Sequence, residues 1–420
     1  MPQLYRGRGY LPQRCASTRP EQMPTMPSLT VALPRLPLFG WASFTGPKRS
    51  RTPCIVDRSD IVFTRSGQAA IGLALRDLAV GPGDRVLVPT YHCPTMIAPV
   101  AALGAQPQFF PLDASGAPRV DVIANMDLSG VRAMIAAHYF GLPQPMAHIR
   151  RFCDARGIAL IEDCAHAIFG ATDGRPVGSW GHYAIASLPK FFPTTDGGCL
   201  VAEAFRSPIT NLPRRAPADE LRVIANSIEI GARHRALHGV NRLVAGGFAL
   251  VERIRGKSSR GDAHADPEGS PQRSPPSPSP TSSTLWCRAS AWSRFIAGAA
   301  HRERIFSNRR RNYRHLCALL ADVPGTHIPW PKLPDLATPY VFPLWVDEPA
   351  KSYQRARRAG VPLFRWDDAW PGTPLIDGDC GPQWGHHIFQ LGCHQDLGVD
   401  DLGVMTDTLR RIFSSETLEG

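Results

Sequence analysis

The sequence predicts an α/β fold, with a large domain on a mostly parallel central sheet followed by a smaller C-terminal α+β domain. Three observations lead there. Between about residue 60 and residue 202, short apolar runs alternate with segments of helical period. The runs are continuously apolar, as strands covered on both faces require. Beyond residue 285 the texture changes to longer helical segments around isolated strands, and a Pro/Ser-rich stretch at 256–284 separates the two regions.

The elements follow in order. Residues 1–58 are rich in Pro, Arg and Ser with weak periodicity, and read as a disordered lead and an irregular arm lying on the main domain. The large domain, 59–255, opens with Ser66-Gly67 before a helix that carries Ile71, Ala74, Leu75 and Leu78 on one face. The turn "GPGD" leads into the strand "RVLVP", 85–89. Further strands are expected within "AQPQFFPLD" (105–113), "VRAMIAAH" (131–138), "IALIED" (158–163), "YAIAS" (183–187) and "GCLVA" (198–202). The segment 256–284 has almost nothing to bury and reads as a disordered insertion. In the small domain, 285–420, "RERIFSNRRRNYRHLCALLADV" reads as a long helix and "YVFPLWV" (340–346) as a strand. "AKSYQRARRAGV" and "DDLGVMTDTLRRIF" then read as helices. A parallel sheet places ligands at the carboxyl ends of its strands, so the loops after these strands are where chemistry is sought.

Composition narrows the function. The chain has 420 residues, 47 basic and 36 acidic, for a net charge of +11. The densest basic groups, Arg214-Arg215 and Arg309-Arg310-Arg311, lack interleaved aromatics for base stacking, which argues against nucleic acid. The same balance suits an enzyme of phosphorylated or diphosphate-linked small molecules. The ten cysteines form no CxxC pair, so no metal is expected. No apolar run approaches the ~20 residues of a membrane helix. Pro34 and Pro37 interrupt anything like a signal peptide's core, so the expected compartment is the cytoplasm.

Three strand-end features carry the chemistry. Lys190, in "YAIASLPKFFPTTDGGCLVA", is the one lysine of an otherwise apolar or small run. Such an amine is either solvated at the strand end or sheltered and less basic, and in the second case it is a nucleophile able to form a Schiff base. Asp163, after the strand of "IEDCAHA", is either an N-cap or a buried carboxylate in need of a cationic partner. The helix start Ser66-Gly67-Gln68 offers backbone N–H groups to a phosphate, as many helix starts do. One cofactor explains all three together: pyridoxal phosphate needs a lysine for its aldehyde, an acid for its ring nitrogen and donors for its phosphate.

The blocks "SGQAAIGLALRDLAVGPGDRVLVPTYH", "AAHYFGLPQPMAHIRRFCDARGIALIEDCAHAIFG", "GRPVGSWGHYAIASLPKFFPTTDGG" and "LGCHQDLGVDDL" resemble successive blocks of the DegT/StrS sugar aminotransferases. These are fold-type I pyridoxal phosphate-dependent transferases. The resemblance is dense from about 60 to 202 and thinner at 300–345 and 390–412. It implies that Lys190 is the Schiff-base lysine and Asp163 the partner of the pyridinium nitrogen. It also implies that His166 stands near the phenolic oxygen, where the family often has Gln, and that Ser187 joins Gly67 and Gln68 on the phosphate. The family stacks an aromatic ring on the cofactor from the loop after "VP". Here a gap-free register puts Cys93 at that place, so the stacking ring is expected from Tyr91 or His92, with His92 preferred and Tyr91 alternatively a core residue.

Ser187 and Lys190 are closer in sequence than is common in the family, and His182 replaces its usual Asp. "GVNRL", with Asn241, only faintly matches the segment whose Asn reaches the phosphate of the partner subunit. Lys190 argues against the dehydratase branch, which carries His there. The implied function is transfer of an amino group from an amino acid, usually glutamate, to a nucleotide-linked keto sugar by a homodimer. The alternatives are a pyridoxal phosphate enzyme acting on a non-sugar cyclic ketone, and a catalytically silent relative with a regulatory or scaffold role.

Overall fold

The computed structural model describes residues 33–48, 52–207, 212–244, 246–247 and 286–416. The expected disordered lead (through residue 32) and the insertion at 256–284 lie outside the described residues. The larger sheet is built from β1 (Val62–Thr64), β2 (Arg85–Pro89), β3 (Gln106–Phe110), β4 (Val131–Ala137), β5 (Ala159–Asp163), β8 (Tyr183–Ser187) and β9 (Gly198–Ala202). Between β5 and β8 lies a short hairpin of β6 (Ala171–Thr172) and β7 (Arg175–Pro176).

The sheet order is β1-β9-β8-β5-β4-β2-β3. Its five central and far-edge strands run parallel, while β9 returns antiparallel to β8 and β1, antiparallel to β9, points the same way as the five. Val86, Leu87 and Val88 of β2 and Met134, Ile135 and Ala136 of β4 are fully buried, so both sheet faces are covered. Because the strands are parallel and in register, Ala137, Asp163 and Ser187 end at one edge of the sheet. That common edge makes the site possible.

Helix α1 (Gly67–Asp77) starts at the same edge. Ser66 caps it, its Oγ accepting from Ala69 N–H at 3.1 Å, and the predicted face of Ile71, Ala74, Leu75 and Leu78 is buried. Gly198 packs directly beneath this helix start: a Cβ there would lie 2.3 Å from the Ser66 carbonyl carbon and 2.5 Å from Gly67 N. Helices α2 (Pro94–Ala102), α3 (Val120–Ile123) and α4 (Ala147–Asp154) complete the crossovers, and α5 (Pro217–Arg233) and α6 (Ala291–Ala299) follow the sheet.

The second core is smaller. Long α7 (Arg302–Leu319), α8 (Pro349–Arg358), α9 (Gly381–His387) and α10 (Val399–Glu416) accompany a sheet of β10 (Thr326–His327), β11 (Val341–Val346), β12 (Leu363–Phe364) and β13 (Ile388–Gly392). That sheet is antiparallel in the order β10-β11-β13-β12. Phe342, Leu344, Phe389 and Leu391 on its strands pack with Leu316 of α7 and Met405 and Leu409 of α10. No described helix is long and apolar enough to cross a membrane.

Residues 33–44 form an irregular arm that runs over both parts. His394 bonds the Pro34 carbonyl through Nε2 at 2.9 Å, and Asp396 accepts from Leu38 N–H at 2.8 Å and from Arg304 at 2.7 Å. Farther along, the arm passes α5 so closely that a Cβ on Gly231 would lie 2.1 Å from the Phe39 carbonyl oxygen. Burial holds the His394 imidazole down at about 4, below its ordinary value, against the opposing charge of Asp396. Between pH ~6.5 and about 4 the unfolded chain therefore takes up a proton at His394 that the folded chain refuses. The expected outcome is a loss of up to about 3 kcal/mol of stability over that window, fully absent above it. Urea unfolding across pH should show this part of the decline flattened in His394→Asn.

Candidate active site

The carboxyl edge of the parallel strands opens into a cavity of about 420 Å³. Lys190 enters it from a short 3-10 turn, Leu188–Lys190, directly after β8. The side chain is half-buried, and its Nζ lies 5.3 Å from the Tyr340 ring centroid. Burial lowers the basicity of the amine, and the negative charge of Asp163 only partly restores it. Asp163, at the end of β5, is buried in the same cavity. Burial raises its pKa above the usual carboxylate range, against the attraction of Lys190 and a 2.8 Å hydrogen bond from Ala165 N–H. Each member of the pair thus resists full charge separation from water, and each relieves the other.

Glu162, one residue earlier, faces the opposite side of β5, as the two-residue period of a strand demands. Its carboxylate accepts from His138 Nε2 at 2.9 Å and from the N–H groups of Gly178, Trp180 and Gly181 at 2.7, 2.8 and 3.0 Å. Burial alone would raise it, but the His138 imidazole and these donors hold it below the usual range. His138, Glu162 and Cys164 are close enough to suggest a metal site. However, His138 Nδ1 already accepts from Gln144 N–H at 2.8 Å, so the histidine and the glutamate are both committed to hydrogen bonds. The cluster works as scaffolding under the cavity.

Ser66, Gly67, Gln68, His166 and Ser187 all line the cavity with Lys190 and Asp163. The first-turn N–H groups of α1 have no intrahelical acceptor, which makes this end suited to an anion. His166 is buried, and its Nδ1 accepts from Phe140 N–H at 3.4 Å. Its Nε2 is therefore the protonated nitrogen, and it is buried without a hydrogen-bond partner among the described residues. Burial holds the ring neutral, reinforced by the charge of Lys190. An anion cradle, a buried acid, an orphaned N–H donor and a weakly basic amine in one cavity are the donor set that pyridoxal phosphate requires, and the residues present fit that group.

His92 is a correction. It does not line the cavity: Nδ1 bonds the Pro89 carbonyl at 2.9 Å, Nε2 accepts from Trp370 N–H at 2.9 Å, and the ring packs 5.5 Å from Phe109. With both nitrogens bonded, the imidazole is turned away from the strand edge. Tyr91 is a core residue, its hydroxyl bonded to Gln390 at 3.0 Å and its ring among Tyr139, Trp366 and Trp384. Cys93 does line the cavity. Beside Phe39 and Tyr139, the small-domain side adds aromatic wall to the cavity, with the Tyr340 and Trp366 rings 4.5 and 4.8 Å from the His166 ring. Asn241 closes a local turn, accepting from Leu237 N–H at 2.9 Å.

Residues 56–204 match the DegT/DnrJ/EryC1/StrS aminotransferase family. The match covers about a third of the chain. The family is pyridoxal phosphate-dependent. The chain is 34% identical over 150 residues to the dTDP-4-dehydro-2,3,6-trideoxy-D-glucose 4-aminotransferase of Saccharopolyspora spinosa, covering 35% of this chain and 39% of that protein. It is 31% identical over 200 residues to the dTDP-3-amino-3,4,6-trideoxy-alpha-D-glucose transaminase of Streptomyces venezuelae, covering 46% and 50%. The chain thus spans two fifths to one half of the length of these curated relatives.

Among solved structures, the aminotransferase TlmJ from Streptoalloteichus hindustanus superimposes with a TM-score of 0.58 at 19% identity, over 85% of this chain and 87% of that one. Spr1654 from Streptococcus pneumoniae in its PLP-form gives 0.55 at 16% identity, over 89% and 93%. These likenesses concern the fold.

Arg309 is the residue that sequence reasoning missed. It is fully buried and donates to the carbonyls of Lys190 at 2.7 Å, Pro339 at 3.0 Å and Tyr340 at 3.0 Å, and to Gln395 Oε1 at 2.8 Å. Its only signal was membership of the Arg309-Arg310-Arg311 run, one of the densest basic groups of the chain. Arg309→Gln leaves several of these acceptors without donors, and is expected to cost at least about 3 kcal/mol. Chemical denaturation checks this, with Arg311→Gln, on the less buried part of the same helix, as the near-neutral control.

Proposed function

We propose that this protein is a pyridoxal phosphate-dependent aminotransferase. It moves an amino group from an amino acid, with glutamate the expected donor, to a nucleotide-linked keto sugar in polysaccharide or secondary-metabolite biosynthesis. The observation that carries this reading is the Lys190–Asp163 pair, a weakly basic amine and a buried carboxyl facing one cavity at the carboxyl ends of parallel strands. When bound, pyridoxal phosphate supplies an electron sink and carries the amino group between the two substrates.

The chain's own residues divide the remaining work. Gly67 and Gln68 N–H, with the Ser66 and Ser187 hydroxyls, hold the phosphate at the start of α1. Asp163 would keep the proton on the ring nitrogen, and His166 Nε2–H would donate to the phenolic oxygen. Lys190 Nζ is the amine that would hold the aldehyde and, when free, would accept a proton from the donor's Cα. Its lowered basicity leaves a larger fraction of free amine near neutral pH than a solvated lysine offers. Tyr340 and Trp366 shield the cavity from water. A homodimer belongs to the same reading; exposed Trp41 (53%) and Phe295 (59%), the latter against Phe44, support such a surface.

A second reading, a non-sugar cyclic ketone as acceptor, is favoured by one feature. Leu36, Phe39, Ile71, Met96 and Ile230 give much of the cavity an apolar wall that offers ring hydroxyls few partners. A panel of nucleotide-linked keto sugars and cyclic ketones separates the two.

The first test is the absorbance spectrum of the full chain with added pyridoxal phosphate. The expected outcome is a visible band that glutamate bleaches and that Lys190→Ala does not develop. Asp163→Asn should slow the bleaching by at least about a hundredfold, the ~3 kcal/mol typical of one electrostatic group. No band at saturating cofactor would overturn the enzyme reading and leave a silent relative in its place.

A further inference from the structure

A second cleft, of about 620 Å³, opens beside the N-terminal half of α5. Arg214, Arg215, Arg288 and Arg294 line it, and Glu220 is the one carboxylate among its lining residues. That carboxylate is already engaged, accepting from Ala291 N–H at 2.9 Å. Four guanidiniums, one of them paired with Asp196, thus share one concavity. Like charges held together this way repel one another unless an anion joins them.

The position of Arg215 is fixed from behind. Its side chain is only 6% exposed, it bonds Asp196 through Nη1, and its Nε is buried without a hydrogen-bond partner among the described residues. Arg288 and Arg294 extend the charge into a smaller adjoining pocket against Ile61–Phe63. Among the described residues no aromatic side chain lines the cleft to stack a base.

We infer that this cleft is a binding site for a diphosphate group. Guanidinium groups match phosphate oxygens bidentately, and several guanidiniums on one concavity suit two linked phosphates better than one. The site is also wired to the catalytic loop. Asp196, the counter-ion of Arg215, accepts from Ser290 Oγ at 2.8 Å and from Ser293 Oγ, and Ser293 in turn meets the Thr194 hydroxyl. Thr194 and Thr195 line the cavity that holds Lys190. An anion that engages Arg215 therefore acts on the ion pair holding that loop.

Diphosphate can come from two sources: the handle of a nucleotide-linked acceptor, or free pyrophosphate or nucleotide. Leu221 on the cleft and Ser227 on the cavity are six residues apart on α5, about 9 Å along the helix, within the span of one nucleotide-linked sugar. The first source rests on the aminotransferase reading; the cleft itself does not.

The test titrates the full chain with inorganic pyrophosphate calorimetrically, beside the double variant Arg214→Gln/Arg294→Gln, both at exposed positions outside the catalytic cavity. The expected result is saturable binding that weakens with salt and is at least about tenfold weaker in the variant. Absent binding in the wild type, or equal affinity in the two proteins, overturns the inference.

The KM for a nucleotide-linked keto sugar separates the sources. A rise of about tenfold at unchanged kcat in the variant assigns the site to the acceptor's handle. An unchanged KM with pyrophosphate binding still lost assigns it to a free anion. Failure of the aminotransferase reading shows separately, as a missing cofactor band, and leaves the pyrophosphate titration intact.

Discussion

The guanidinium of Arg309 is the constraint on which the two parts of this molecule depend. It carries a charge into a place without water, where burial lowers its pKa to about 10, still well above neutral pH. No carboxylate among the described residues bonds it directly. Its charge is met by carbonyl dipoles, a glutamine oxygen and the face of Phe191, 4.5 Å away. Such a group tolerates few arrangements, because every donor left unbonded in a dry interior costs free energy. One of its acceptors belongs to Lys190 and two to the segment entering β11, so a residue of α7 sets the lysine turn against the strand that carries Tyr340. Gln395 doubles the connection by donating to the Phe191 carbonyl at 3.0 Å.

Within the larger sheet, two neighbouring acids show how local donors decide the fate of a charge. Glu162 and Asp163 share a strand and comparable burial, yet their proton affinities move in opposite directions. On the Glu162 side a loop and a histidine deliver four hydrogen bonds, which stabilise the anion. On the Asp163 side the polypeptide delivers one, from Ala165, and leaves the rest of the carboxylate facing a cavity. The first acid is finished structurally. The second is open to a cationic group that the chain does not itself supply in full.

Much of this was legible in the sequence, for physical reasons. Buried parallel strands are short apolar runs, and "RVLVP" and "YAIAS" are strands with the expected ends. The helix start at Ser66 followed from its cap, and Lys190 stood out because an ammonium among Pro, Phe and Leu needs an explanation. What was not legible depends on direction and on distant crossings. His92 sits in the loop where an aromatic was expected, but the backbone after Pro89 aims its ring at Phe109 and Trp370. Tyr340 and Trp366 reach His166 only because the small sheet packs where it does, and nothing local in "YVFPLWV" or "LFRWDD" announces that approach. Arg309 was hidden by its neighbours, since a run of arginines gives no hint that one of them faces inward.

The arm at residues 33–44 supplies Leu36, Pro37 and Phe39 to the cavity wall, yet its anchors are His394 and Asp396. Those contacts join positions 360 and 358 residues apart. During synthesis the arm emerges early, long before its anchors exist, so the family-matched segment has time to fold first. Closing so large a loop carries a high entropic barrier and belongs to the last stage of assembly. The arm's side of the cavity is therefore walled only after His394 and Asp396 have been made. A nascent chain that ends before His394 holds Lys190 in an open trough.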